Sequence, residues 1–227
     1  MKFRPCIDLH NGQVKQIVGS TLDTDELSTN FETWRPAKEF AQLYRDDGLT
    51  GAHIVMLGPG NADAAKSALQ TFSMQIGGGI NDSNCQEWID AGASHVIVTS
   101  FVFYDGQIHY DRLKKLRDLV SKKRIVLDLS CRRRYDDYYV VTDRWQKFTD
   151  VRVNAETLTT LAEYCDEFLV HGVDVEGKQC GILKDLVRLL GEHSPIPVTY
   201  AGGVRGLEDM ELVEKLGQGK VDCTVGS

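Results

Sequence analysis

Two acidic residues stand where hydrophobic runs come to an end. Asp8 closes the short apolar start of "CIDLHNGQVK" (residues 6–15), and Asp128 sits in "IVLDLSCR" (125–132), 120 positions later. Carboxyls at the open ends of buried strands suit general acid–base work, because burial and neighbouring charge can tune each proton affinity. Two glycine clusters share a similar offset. Gly78 and Gly79 in "IGGGI" (76–80) lie 124 positions before Gly202 and Gly203 in "YAGGV" (200–204). Thr99 and Ser100 in "VTS" precede Gly226 and Ser227 in "VGS" by 127. Glycine turns between a strand and a helix let backbone N–H groups approach a phosphate, helped by the positive end of the helix dipole. Two such sets predict a ligand with two phosphates, one on each side of a site that holds both acids. Lys15, on the strand-like "QVKQIV" after Asp8, is a further candidate to reach it.

The elements that would position these residues follow from the hydrophobic pattern. Eight short β-branched runs (3–8, 52–57, 74–77, 95–99, 124–129, 167–171, 196–200 and 221–225) alternate with helical spacing. "HIVML", "HVIVT" and "EFLVH" are apolar without clean alternation, as parallel strands covered on both faces are. Eight such strands joined by right-handed βαβ crossovers predict an α/β fold of the (β/α)8 TIM-barrel type, forming a single domain over 1–227. The shared offsets predict two half-barrel repeats, about 1–120 and 121–227, so the two acids should face each other across the barrel mouth. The alternative, a doubly wound sheet, lacks a GxGxxG fingerprint after the first strand. The sequence stops directly after the eighth run, so the final helix is expected to be missing from the chain. Two segments read as loops over the mouth: residues 19–31 and the insertion after the fifth strand, which carries Arg132-Arg133-Arg134 and Trp145.

Bulk properties narrow the function classes. The chain has 227 residues, 42% hydrophobic and 26% charged, with a net charge of −7, which argues against nucleic acid as a partner. No apolar stretch approaches the roughly 20 residues of a membrane span, and the start lacks a signal-peptide core, so a cytoplasmic monomer, or a plastid one in a plant or alga, is expected. The six cysteines form no CxxC pair, and the six histidines form no HxH or HxxxH pair. No metal and no redox cofactor is expected.

"PCIDLHNGQVKQIVGSTL", "QIGGGIND", "HVIVTS", "VLDLSCR", "VTDRWQKFTD", "FLVHGVDVEG", "VTYAGGV" and "VDCTVGS" together resemble, over essentially the whole chain, the HisA-type isomerases of histidine biosynthesis in the form found in eukaryotes. The resemblance implies an Amadori rearrangement of ProFAR, an aminoaldose carrying two ribose phosphates, to its aminoketose. It implies Asp8 as general base and Asp128 as general acid, with Asp128, or its substrate complex, raised in pKa so that it starts protonated. By the same pattern Trp145 would stack on the aminoimidazole ring, and Asp174, Glu176 and Gly177 would belong to the loop that fixes the substrate. His171 stands where bacterial members commonly carry a threonine that orients the acid, so it would either hold Asp128 or contact substrate. The alternatives are the related cyclase subunit of imidazole glycerol phosphate synthase, which lacks the tryptophan pattern, a phosphoribosylanthranilate isomerase with a strand-1 cysteine base (here Cys6), and a non-catalytic phosphosugar-binding barrel.

Overall fold

A computed structural model describes residues 1–17, 29–143 and 145–225. Eight parallel strands form among them: β1 (Cys6–His10), β2 (His53–Met56), β3 (Gln75–Gly77), β4 (His95–Val98), β5 (Ile125–Asp128), β6 (Glu167–His171), β7 (Val198–Ala201) and β8 (Val221–Cys223). They hydrogen-bond in chain order, and a parallel bridge between Phe3 and Cys223 joins β8 back to the start of the chain. The Arg4 amide donates to the Cys223 carbonyl at 2.8 Å, and the Cys223 amide to that of Lys2 at 3.0 Å. The expected (β/α)8 barrel is therefore present. No helix of the described residues is long and apolar enough to cross a membrane.

Helices fill the crossovers: α1 (Ala37–Asp46), α2 (Ala62–Thr71), α3 (Cys85–Asp90), α4 (Tyr110–Val120), α5 (Ala155–Leu161), α6 (Lys184–His193) and α7 (Leu207–Leu216). Each buries a stripe set by the helical period. In α4 the stripe is Leu113, Leu116 and Val120; in α6 it is Leu186, Val187 and Leu190. Pro36 occupies the N-cap of α1 with extended backbone (φ −66°, ψ 149°), and Gly48 at φ +67° ends the helix region.

Strand alternation sorts the barrel interior into levels. At the N-terminal end lies a polar floor. Glu167 accepts from Thr199 Oγ1 at 2.8 Å and from Gln75 Nε2 at 3.1 Å, and it pairs with Arg4 at 3.3 Å. Above it Ile97, Val126 and Leu169 form a separate apolar cluster. One step further along each strand, towards the C-terminal end, Asp8, Asp128 and His171 emerge at the mouth.

The insertion after β5, read from sequence as a loop, is an antiparallel three-stranded sheet of Cys131–Arg134, Asp137–Thr142 and Lys147–Arg152. Its arginines interleave with aromatic rings: Arg134 lies 4.1 Å from the Tyr139 centroid and Arg132 5.7 Å from that of Phe148. A shorter hairpin, Gln13–Ile17 with Thr29–Thr33, extends antiparallel from β1. Of the predicted mouth loop 19–31, residues 19–28 lie outside the described residues.

Candidate active site

The C-terminal ends of the barrel strands enclose a cavity of about 1300 Å³. Asp8 (β1), His53 and Val55 (β2), Ile97 (β4), Asp128 (β5) and His171 (β6) line it, with Thr99, Trp145, Glu176 and Thr224. The two acids, one half-barrel repeat apart, thus open onto one space, at the face where barrel enzymes carry their chemistry.

Their environments differ. Asp8 sits among buried groups, and burial, followed by the nearby charge of Glu176, pushes its carboxyl up to about 7. Asp128 is heavily hydrogen-bonded: Oδ1 accepts the Ser130 amide at 2.8 Å and the Ser130 hydroxyl at 2.6 Å, while Oδ2 accepts Thr99 Oγ1 at 3.2 Å. Burial by itself would raise Asp128, but the close His171 ring and its charge, 3.6 Å away, with the Ser130 donors, hold it below the ordinary carboxylate range. The expected shift is therefore reversed: Asp128 is lowered, and the raised carboxyl is Asp8. His171 is the counterpart: burial works against its charge, yet Asp128, Glu176 and Asp8 together push it up to about 9. His53, buried at 3% exposure, is pushed down to about 3 by burial and by His171, so it stands neutral in the same wall.

The first-half phosphate candidates come together as expected from the repeat: Gly78, Gly79, Thr99 and Ser100 all line the cavity. Gly78 has φ +98°, and a Cβ there would meet the Met56 carbonyl oxygen at 2.1 Å, so only glycine permits this turn. The helix end does not reach it directly. Asn81–Asn84 intervene before α3 begins, with Asn84 Nδ2 donating to the Gly79 carbonyl at 3.0 Å, so any phosphate donors here are turn amides. In the second half Gly202 (φ +122°) and Gly203 (φ +72°) repeat the backbone conformation, but Ala201 and Thr224 line the cavity beside them rather than the glycines themselves. Gly226 and Ser227 lie outside the described residues.

The remaining candidates divide. Trp145 lines the cavity with its ring 5.7 Å from that of His171, at an interplanar angle of 42°. Glu176 lines it too, and its Oε2 is buried with no hydrogen-bond partner among the described residues, as are His10 Nδ1 and Thr224 Oγ1. Asp174 does not line it. Its Oδ1 accepts Arg132 Nε at 3.0 Å and its Oδ2 accepts the Arg133 amide at 2.9 Å, which ties the loop after β6 to the three-stranded insertion. Gly177, at φ +72°, also lies outside the lining set, and Lys15 pairs with Glu32 at 2.9 Å away from it. The arginine run of the insertion is tied down by acids: Arg132, Arg133 and Arg134 pair with Asp174, Asp185 and Asp150 at 3.0, 3.8 and 3.9 Å. Sequence reading missed His53, Ser130 and Thr224. His53 could have been found from alternation, since it shares a face with Val55 on β2. Among the described residues no group of three or more His, Cys, Asp or Glu is placed to hold a metal.

Comparison with known proteins gives a consistent result. Residues 2–227 match the family described as histidine biosynthesis protein. A Medicago truncatula protein is 55% identical over 237 aligned positions, covering 100% of this chain and 76% of its own length. It is named as a chloroplastic 1-(5-phosphoribosyl)-5-((5-phosphoribosylamino)methylideneamino)imidazole-4-carboxamide isomerase. Proteins of Neurospora crassa and Saccharomyces cerevisiae, 53% and 47% identical, carry the same isomerase name, with 100% of this chain and 91% and 90% of theirs covered.

Proposed function

Because this chain belongs to the family of histidine biosynthesis proteins, we propose that it is the isomerase its relatives are named for, converting ProFAR to its aminoketose by an Amadori rearrangement. The observation that carries the reading is the meeting of Asp8 and Asp128, from the C-terminal ends of β1 and β5, in one cavity beside a glycine turn shaped for a phosphate.

The reaction needs a proton given and a proton taken. An acid protonates the ribose ring oxygen as the C1–O bond breaks, and the exocyclic nitrogen lone pair forms C1=N. A base then removes the C2 proton, and the electrons move to C1=C2 and back onto nitrogen. Protonation at C1 and loss of the enol hydroxyl proton leave the ketose. Asp8 is the base; a carboxyl near 7 is half ionised at working pH yet far stronger as a base than an exposed aspartate. The acid belongs to the couple of Asp128 and His171, whose proton affinities are pushed in the opposite sense. Gly78, Gly79, Thr99 and Ser100 hold one phosphate, and the second glycine turn at Gly202 and Gly203, with Gly226 and Ser227, holds the other. Trp145 covers the imidazole carboxamide, and Glu176 accepts from a ligand hydroxyl or amide. Lys15, Asp174 and Gly177 support the walls rather than touch the ligand. In this reading the chain acts as a single-domain monomer, with Asp8, Asp128 and His171 of one chain lining the same cavity.

Spectroscopic assay with ProFAR tests the reading. Turnover without added ammonia and none with anthranilate ribotide are expected. Asp8→Asn and Asp128→Asn should each lower kcat by roughly 10²–10⁴-fold while ligand binding persists. Near-full activity in either variant would overturn the assignment.

A further inference from the structure

The Asp128 carboxylate has little capacity left to act as an acid. Three hydrogens point at it, from the Ser130 amide, the Ser130 hydroxyl and the Thr99 hydroxyl. Donors arranged this way stabilise the charged form. Ser130 also settles which nitrogen of His171 bears hydrogen. Its Oγ lies 2.6 Å from Asp128 Oδ1, where its only hydrogen is used, and 3.1 Å from His171 Nδ1. Nδ1 must therefore donate to Oγ. With Nδ1 turned into the corner of Asp128 and Ser130, Nε2 is the nitrogen left to face the cavity that His171 lines.

We infer that His171, held as an imidazolium by Asp128, protonates the ribose ring oxygen from Nε2, and that Asp128 is its counter-ion rather than the acid itself. This rests on the isomerase reading above. The Nε2–H bond breaks as the O–H bond forms, and the electrons of the C1–O bond go to the departing ring oxygen. The proton later lost by the enol hydroxyl restores the imidazolium, while the proton Asp8 takes from C2 is returned to C1. Every charged neighbour favours this state. Asp128 lies 3.6 Å away on β5, and the charges of Glu176 after β6 and Asp8 on β1 act in the same direction. His53 on β2, kept neutral by burial, adds no competing cation, and the Trp145 ring covers one side.

Two experiments test it. In the ligand-free protein, nitrogen NMR of labelled histidine should show the His171 ring charged at pH 7.5; a neutral ring there overturns the inference, whatever the substrate proves to be. In kinetics, His171→Asn should lower kcat by roughly 10²–10⁴-fold with KM little changed, and the fall in rate at alkaline pH should disappear. Asp128→Asn should keep weak activity whose alkaline fall moves down towards the ordinary histidine range, about 6.5. A folded His171→Asn that keeps the wild-type rate or its alkaline limb overturns the inference. If His171→Asn fails to fold, His171→Gln and the wild-type titration decide. Wild-type protein that does not turn over ProFAR fails the isomerase reading instead, a different result from any of these.

Discussion

Gly79 and Gly203 are twins in the repeat, both with φ +72°, yet their surroundings make opposite predictions for the same substitution. A Cβ on Gly79 would meet nothing within 4 Å, whereas one on Gly203 would lie 2.2 Å from the Gly181 carbonyl oxygen and 2.9 Å from Val175. Left-handed backbone costs an alanine about 1–2 kcal/mol, partly offset by a stiffer unfolded chain, so Gly79→Ala should cost about 1 kcal/mol. Gly203→Ala carries the same strain plus an overpacking cost of about 1–3 kcal/mol, for a total of about 3 kcal/mol. For a chain of this size these correspond to Tm decreases of about 3 °C and about 9 °C. Activity should separate them differently. The Gly79 methyl would project into the cavity where a phosphate is held, raising KM about tenfold or more, equivalent to at least about 1.4 kcal/mol of binding. Thermal unfolding and steady-state kinetics on the two variants make the test. Equal loss of Tm in both, or an unchanged KM in Gly79→Ala, would refute the reasoning that the space beside Gly79 is open to the ligand while that beside Gly203 is filled by the Gly181 backbone.

Other outcomes follow from the site's charges and ties. The pH profile of kcat/KM should rise through about 7 as Asp8 ionises and fall near about 9 as His171 loses its proton, read from rates over pH 5–10. Stability should follow the same groups: because His171 is raised in the folded state, its contribution is full below the ordinary histidine range and is lost as pH climbs through about 9, visible in urea denaturation. Asp128, held low, works the other way, and its contribution is lost as pH falls through the acid range. Asp174→Asn should loosen the tie to Arg132 and raise KM several-fold while changing stability by no more than about 1 kcal/mol, measured by kinetics and chemical denaturation together. Trp145→Ala should raise KM and alter the fluorescence change on ligand binding, and an unaltered KM would remove the tryptophan from the ligand's wall.

The barrel was legible because its strands are covered on both faces, which leaves unbroken apolar runs such as "HIVML" and "EFLVH". The apolar run 3–8 begins before the strand itself, Cys6–His10, because Phe3 contributes only a single bridge to β8. The strands of the insertion after β5 carry no such signal: they set Arg against Tyr and Phe rather than alternating apolar with polar residues, so cation–π contacts replace the usual pattern. Asp8 and Asp128 are legible because each closes an apolar run and the two share the repeat's offset of about 120 positions. The protonation order between Asp128 and His171 was not legible, because it depends on a contact between β5 and β6 across 43 positions and on the second hydrogen bond of Ser130.

The seam between the first residues and β8 also has a kinetic side. Arg4 Nε and the Lys2 amide both reach the Asp222 carboxylate at 2.7 Å, across sequence separations of 218 and 220. Closing a loop that long from an open chain costs about 1.4 kcal/mol more than pairing β1 with β2, so the seam should zip only after the intervening strands have brought its edges together. Cys6 and Asp8 lie on one side of that junction and Thr224 on the other. A ribosome-bound chain with seven strands in place would therefore carry both acids but an unclosed pocket, so catalytic competence should arrive in a single late step rather than grow with the chain.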